Sequence, residues 1–523
     1  MAQVEVWLLV GLFSVTIPLV ALAQRANIAY PIVLVAGGLI LGFVPGLPKI
    51  EFDPNLVLLI FLPPLLYWGA ITAPTDVMRA NAGQIWLLAI GLVIATTATV
   101  ALVAHASISQ LAWPMAFVLG AIVAPTDELA ALPVLQKMRM PRHLVAIIVG
   151  ESLLNDASSL ILYAAALTAA VTGVFRLGPD VLQFFLAGVG GVAVGLVVGR
   201  LAVEGWRRIK DTQLQGVISF NLPFLSYLLA LRLGFSGVLA VIFAGIYVGR
   251  FTPLVLTPAT RLQLSGYWET VVFLANALLF LLVGMQLHVV GHAVLAEYSW
   301  QSLLWYAFLV NVTVIVTRFA WVLGQEFVPV IGGASEHPGG DWKHALIAAW
   351  SGLRGAVSLA AALAIPVTML GGVHLPHRDL VIFLTFTVIL VTMVGGGLTL
   401  PLVIRRLEVA DGSAEQDEDL QRGIVGMSEA ALTRLDQLQR DGRIDAENAR
   451  RLRHGYEHRR RHADGHPEGE RAAFEAELEV LSAERAALVE LRQRGEIDNV
   501  VLRRLQRVLD ITEERLRHVS TTD

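Results

Sequence analysis

From residue 1 to about residue 404 the chain is a succession of apolar stretches, each long enough to cross a lipid bilayer. That repetition constrains the fold more than any other feature, because a span needs about 20 mostly apolar residues and must satisfy its own backbone hydrogen bonds in hydrocarbon. Thirteen stretches can be marked: 3–23, 28–46, 54–73, 84–105, 112–135, 143–173, 181–203, 215–231, 235–250, 269–290, 300–324, 344–370 and 379–404. Spans 8 and 9 separate at Arg232-Leu233-Gly234. The first stretch does not have the form of a signal peptide, since Glu5 stands where a basic residue belongs and many spans follow. The pattern predicts an all-α polytopic membrane protein of about 13 transmembrane helices.

Charge divides the chain in two. Residues 1–404 hold 18 Lys+Arg and 17 Asp+Glu, and the remaining 119 hold 21 and 26. A transmembrane domain over 1–404 and a cytosolic helical tail over 405–523 follow. The formal net charge of −4 gives no basic surface for nucleic acid, and the absence of cysteine excludes disulfides, thiolate metal sites and cysteine nucleophiles. Basic residues set the orientation. Arg25, Arg79, Lys137, Arg139, Arg142, Arg200, Arg207, Arg208, Lys210, Arg250, Arg261, Lys343, Arg405 and Arg406 fall on one side of the thirteen spans, against Lys49, Arg176, Arg232 and Arg378 on the other. The tail is thereby expected in the cytosol and the N-terminus outside, in a cell (plasma or inner) membrane.

Ionisable residues inside spans are costly and tend to line a pathway or pair with each other. Span 5 contains Ala124-Pro125-Thr126-Asp127-Glu128, span 6 contains Gly150-Glu151-Ser152-Leu153-Leu154-Asn155-Asp156, and Arg318 and Arg354 lie in spans 11 and 12. On a helix Ser152 and Asp156 share a face and Asn155 is one turn from Ser152, whereas Glu151 points elsewhere. The oxygen-rich patch Ser152/Asn155/Asp156 suits a hard cation such as Na⁺; the alternative for Ser152 and Asn155 is hydrogen-bonded helix association. Pro125 in span 5 and Gly352 and Gly355 around Arg354 in span 12 mark interruptions. These are the fifth members of two six-span sets, 1–6 and 8–13, which points to an inverted repeat with broken helices of the kind that build transporter ion sites. Glu151 is the counter-charge assigned to Arg354, as a structural ion pair. Asp127 is placed to cap amides where a broken helix resumes and is counted with the site. Arg318 is left open between an interhelical pair and snorkelling.

Taken together, these segments resemble the monovalent cation:proton antiporter family 1, which includes bacterial NhaP-type antiporters and animal sodium–proton exchangers. The resemblance is carried by Phe61-Leu62-Pro63-Pro64-Leu65-Leu66-Tyr67, Ala124-Pro125-Thr126-Asp127, the Gly150–Asp156 segment, Asn276–Gly284 and Gly352-Leu353-Arg354-Gly355-Ala356-Val357-Ser358-Leu359. It implies a homodimer of thirteen-span protomers in which broken helices 5 and 12 cross. It implies that Asp156 binds cation and proton in turn, that Ser152, Thr126 and Asn155 line that site, with Asp156, Ser152 and Thr126 as ligands of transported Na⁺, and that Glu151 and Arg354 pair. Some members carry an acid just after the third-span Pro-Pro, where this chain has Tyr67-Trp68-Gly69.

The expected activity is exchange of Na⁺, or of Li⁺ or K⁺, for H⁺ by alternating access, for pH and sodium homeostasis. A bare carboxylate in the membrane interior resists crossing, so only a site loaded with cation or proton switches sides. Asn155 beside Asp156 leaves one titrating acid and predicts electroneutral 1:1 exchange. No cofactor is expected beyond the transported Na⁺ and H⁺. The rival functions are a K⁺-preferring antiporter, a cation channel, an intramembrane aspartyl protease using Asp156 and Asp127, and a receptor that has lost transport. In the tail, residues 428–455 and 470–519 read as polar helices with apolar stripes, broken at Gly442, His462–Gly469 and Gly495. Arg459-Arg460-Arg461 between His458 and His462 reads as a solvated turn, with an anionic-lipid or nucleotide site as the alternative. The partners to consider are a second copy, membrane lipid and a cytosolic regulator or ligand of the tail.

Overall fold

The computed structural model describes residues 2–26, 30–44, 54–173, 177–327, 342–369, 373–409, 413–463, 480–488, 490–491, 494, 505–506, 509 and 512–513. Regular structure among them is helical, apart from an isolated bridge between Thr368 and His374. The chain divides into two compact units, Met1–Gly412 and Ser413–Asp523.

The first unit runs through α1 (Ala2–Ala26), α2 (Tyr30–Gly42), α3 (Pro54–Thr72), α4 (Thr75–Ala80), α5 (Ala82–Trp86), α6 (Val93–Ser107), α7 (Trp113–Val123), α8 (Glu128–Lys137), α9 (Arg142–Thr172) and α10 (Leu177–Arg208). It continues with α11 (Thr212–Arg232), α12 (Gly237–Val255), α13 (Pro258–Glu297), α14 (Trp300–Phe327), α15 (Trp342–Trp350), α16 (Ala356–Leu363), α17 (Arg378–Leu390) and α18 (Gly397–Leu407). Single π-helical turns, Leu87–Leu92 and Val391–Gly396, join α5 to α6 and α17 to α18. Where their residues are described, the apolar stretches fall largely on helical structure. Among the described residues, eight helices are long and apolar enough to cross a membrane, and four shorter apolar helices accompany them. The fifth and twelfth stretches are each two half-helices, α7/α8 and α15/α16, with non-helical backbone at 125–127 and 352–355.

Helix ends follow local chemistry. Asp211, Ser236 and Thr257 each accept a hydrogen bond from the amide three residues on, opening α11, α12 and α13. Gly234, at φ +77°, takes the left-handed turn that separates spans 8 and 9. The exposed faces are apolar: α14 presents Trp300, Leu304, Trp305, Phe308, Val312, Ile315 and Val316 along one side. A stripe of that size would drive association in water, whereas lipid is its natural solvent. Between helices, small residues permit close approach. A Cβ on Gly38 of α2 would overlap the Leu281 carbonyl of α13, and one on Gly284 would overlap the Val35 carbonyl.

Two apolar clusters fill the interior, and α9 passes between them. Leu153 and Ala157 belong to the larger, and Leu144, Ile148 and Leu154 to the smaller. The polar run Gly150–Asp156 therefore sits at their junction, screened on both sides.

In the second unit α19 (Ser413–Arg440) and α20 (Ala446–Ala463) form a helical hairpin whose turn holds Gly442 at φ +66°. Leu435 and Ala449 are buried, and Asp436 pairs with Arg453 across the hairpin. Asp445 caps α20, accepting from the Asn448 amide (2.7 Å) and side chain (2.6 Å). Most of the predicted helix 470–519, and the side chains of His458 to His462, lie outside the described residues; within that stretch Leu481 and Leu488 are buried and Arg485 pairs with Glu513.

Candidate functional site

The two interruptions meet. The Asp127 amide donates to the Leu353 carbonyl (2.7 Å), a backbone bond from one break to the other. Breaking two helices in an apolar interior exposes four sets of unpaired backbone groups, and each has found a partner. At the end of α7 the Val123 carbonyl accepts from Arg354 Nε (3.2 Å). At the end of α15 the Ala348 and Ala349 carbonyls accept from Arg318 Nη2 (2.8 Å) and Nε (3.0 Å). At the start of α16 the Ala356 amide donates to Asp127 Oδ2 (3.0 Å). At the start of α8 the Glu128 amide donates to Ser152 Oγ (3.3 Å). Cations thus face two helix C-termini, and an anion faces an N-terminus, the favourable sense of the helix dipole. The glycines leave room for this. A Cβ on Gly355 would overlap the Asp127 carboxylate, and one on Gly352 the Arg318 guanidinium. Pro125 lies in the non-helical segment between α7 and α8, where its missing N–H is not needed for a helix ladder.

Thr126 is the hub toward α9. Its carbonyl accepts from Ser152 Oγ (2.9 Å), and its hydroxyl accepts from Asn155 Nδ2 (2.8 Å) and donates to Glu151 Oε1 (3.3 Å). Ser152 Oγ also lies against a carboxylate oxygen of Glu128. Glu151, Ser152 and Asn155 are each 1% exposed and Asp156 7%. The structure therefore brings together Thr126, Ser152, Asn155 and Asp156 with Asp127 beside them, the latter turned to the α16 amide. Asp156 makes no hydrogen bond or ion pair to any described residue; its charged neighbours are Glu128 and, more weakly, Asp127.

One assignment is corrected. Glu151 pairs with Arg318, at 2.5 Å and 3.1 Å, and not with Arg354. Arg354 instead donates to the Val123 and Gly352 carbonyls, while its amide is held by Thr392 in the π-turn (3.2 Å). Position in the chain marks both arginines as buried, but which one reaches Glu151 depends on how α14 and the broken span lie over α9. Arg318 is thereby an interhelical partner rather than a snorkelling residue. Glu128, not among the expected site residues, also reaches this cluster through Ser152. Its signal was present, an acid inside an apolar span directly after the break.

Residues 11–406 match the family described as "Sodium/hydrogen exchanger, transmembrane". The chain belongs to the sodium/hydrogen exchanger family. An uncharacterized Na(+)/H(+) exchanger of Mycobacterium tuberculosis is 34% identical to this exchanger, over 97% of this chain and 95% of that protein. The Na(+)/H(+) antiporter NhaP of Pseudomonas aeruginosa is 31% identical, over 69% and 82% respectively. The solved structure of the sodium proton antiporter MjNhaP1 from Methanocaldococcus jannaschii superposes with a TM-score of 0.63 at 19% identity, covering 78% of this chain and 99% of that one; the likeness shows a shared fold. The exchanger is a multi-pass membrane transporter of the Na⁺/H⁺ antiporter class and not an enzyme. A proteolytic pair of Asp156 and Asp127 is excluded with it.

Proposed function

We propose that Asp156 is the residue at which this exchanger holds a sodium ion and a proton in turn, alternately open to each side of the membrane. The observation that carries this is a carboxylate buried where two broken helices cross, with no cationic partner among the described residues. Such a group is costly when bare and is neutralised equally well by Na⁺ or H⁺, so a loaded site moves and an empty one does not. Ser152, Thr126 and Asn155 supply oxygen ligands or orient them. Because Asn155 is neutral, one cation exchanges for one proton and transport is electroneutral. A broader cation range has its own support, since a 30% identical relative from Bacillus subtilis, covering 74% of this chain and 60% of that protein, is named a sodium, potassium, lithium and rubidium/H(+) antiporter. The working unit in this proposal is a homodimer in the cell membrane with the N-terminus outside and a regulatory tail in the cytosol, as the distribution of basic residues and the family resemblance support.

The test is flux through purified protein in liposomes carrying an internal pH dye. Wild type should acidify or alkalinise the lumen when a Na⁺ gradient is imposed, and Asp156→Asn should abolish the signal while eluting as the same folded species. Exchange that survives in Asp156→Asn overturns the assignment. A rate that responds to an imposed membrane potential overturns electroneutrality.

A further inference from the structure

The charges at the crossing do not balance. Arg318 and Arg354 contribute two positive charges, against four carboxylates, Asp127, Glu128, Glu151 and Asp156. Glu151 is taken up by Arg318, and Asp127 is held on the amide that opens α16. The two remaining acids are Asp156 and Glu128, neither of which has a cationic partner among the described residues. They face the same polar group, because Ser152 shares a helix face with Asp156 and lies against the Glu128 carboxylate. Glu128 is also the stronger of the two charged neighbours felt by Asp156. Its amide is anchored on Ser152, its carboxylate lies against the Ser152 hydroxyl, and Gly69 of α3 lies alongside.

A second observation points to a ligand in the same place. Asn155 uses its side-chain nitrogen on Thr126, but its Oδ1 is buried without a hydrogen-bond partner among the described residues. An acceptor left unsatisfied in so dry a setting is costly unless a donor or a cation meets it. Two carboxylates without a cationic partner among the described residues, Asp156 and Glu128, stand with the Ser152 hydroxyl, the Thr126 carbonyl and Asn155 Oδ1 where the break in span 5 meets α9, an oxygen donor set for a hard monovalent cation.

We propose that Glu128 is a second carboxylate ligand of the transported cation, supplied by the broken fifth span and setting the site's affinity and its choice among alkali ions. The proposal rests on Asp156 being the exchange residue and adds a residue to it. Glu128 holds the same protonation state in both loaded forms, so the pair Asp156/Glu128 carries the same net charge with Na⁺ bound as with a proton in its place. One-for-one exchange therefore remains electroneutral with two acids present. Shared coordination by two carboxylates favours a small, strongly attracted ion, so Li⁺ and Na⁺ gain more from Glu128 than K⁺ does.

The test compares wild type, Asp156→Asn, Glu128→Gln and Glu128→Asp in the same liposome assay, titrating Na⁺, Li⁺ and K⁺ separately. Glu128→Gln should still exchange, but its half-maximal Na⁺ concentration should rise about tenfold or more, the scale on which loss of a group at a metal site acts. The preference for Li⁺ and Na⁺ over K⁺ should shrink with it. Glu128→Asp should fall between Glu128→Gln and wild type. Unchanged cation dependence and selectivity in Glu128→Gln, with Asp156→Asn inactive, overturn the role of Glu128 and leave that of Asp156 standing; activity in Asp156→Asn removes the ground for both. Should Glu128→Gln fail to fold, infrared difference spectra of wild type on adding Na⁺ decide the matter. Two perturbed carboxyl groups support the proposal, and one overturns it.

Discussion

Glu151 of α9 and Arg318 of α14 form a bidentate ion pair, 2.5 Å and 3.1 Å, with both side chains 2% exposed. Arg318 gives two further N–H groups to the carbonyls that end α15. The pair thus ties three elements, α9, α14 and the first half of the broken twelfth span, and holds the crossing against the helix that carries Asp156.

Breaking that pair leaves an uncompensated charge in an apolar interior, which costs about 3–5 kcal/mol in general. Arg318→Met should therefore lower the thermal unfolding temperature of the purified exchanger far more than Arg354→Met, which orphans only carbonyls at about 1–3 kcal/mol. The double variant Glu151→Gln/Arg318→Met should regain a large part of the loss. Simple additivity of the two single effects in a double-mutant cycle would contradict the pairing.

Glycine at the second break is required by its neighbour. Gly355→Ala would drive a methyl group into the Asp127 carboxylate, and the strain, about 1–3 kcal/mol for overpacking, would dislodge the cap of α16. We expect a loss of exchange together with lower thermal stability. Gly266→Ala is the matched control, because nothing lies within 4 Å of a Cβ there. In the middle of α13 it should be neutral or stabilising by about 1 kcal/mol. Equal behaviour of the two variants in the flux and unfolding assays would rule out this account of the crossing.

Which parts of the site were legible follows from these contacts. The acids, the Pro125 break and the Gly352/Gly355 break stand out in the chain because charge and helix interruption are expensive in lipid. The partner of Glu151 does not, because two buried arginines were available and only the packing of α14 over the break chooses between them. Glu128 was visible as an acid but not as a site residue, since nothing in its spacing says that Ser152 of another span will meet it.

Thr126 joins Asn155 to Glu151 through one hydroxyl. Thr126→Val keeps the shape and removes the oxygen, leaving the Asn155 amide without an acceptor. Exchange should slow severalfold, while Thr126→Ser should stay near wild type, as read from initial rates of dye response at saturating Na⁺. A Val variant as active as the Ser variant would show that the hydroxyl has no part in the site.

In the tail, the amide and side chain of Asn448 hold the Asp445 carboxyl below its ordinary value of about 3.8. A depressed folded-state value means that the cap stabilises α20 above that pH and is lost as pH falls through the lower, folded value. Protection of the first-turn amides of α20, taken relative to the intrinsic exchange rate at each pH, should be unaltered from neutrality down to about 5 and fall only in stronger acid. Asp445→Ala should show the lower protection already at neutral pH. A transition in wild type near neutrality would point to a different titrating group.

By itself the sequence determined the solvent and the class of fold. Thirteen long apolar stretches permit only membrane helices, and an acid such as Asp156 within one of them marks a place where charge must be managed. Those conclusions depend on transfer free energies and helix geometry, which are properties of each segment alone. Tertiary structure decided what depends on distances between segments: that the two breaks close on each other through Asp127 and Leu353, that Arg318 rather than Arg354 neutralises Glu151, and that Glu128 stands with Asp156 around Ser152. The Glu151–Arg318 pairing acts over a few ångströms between residues 167 positions apart, and no local pattern encodes it.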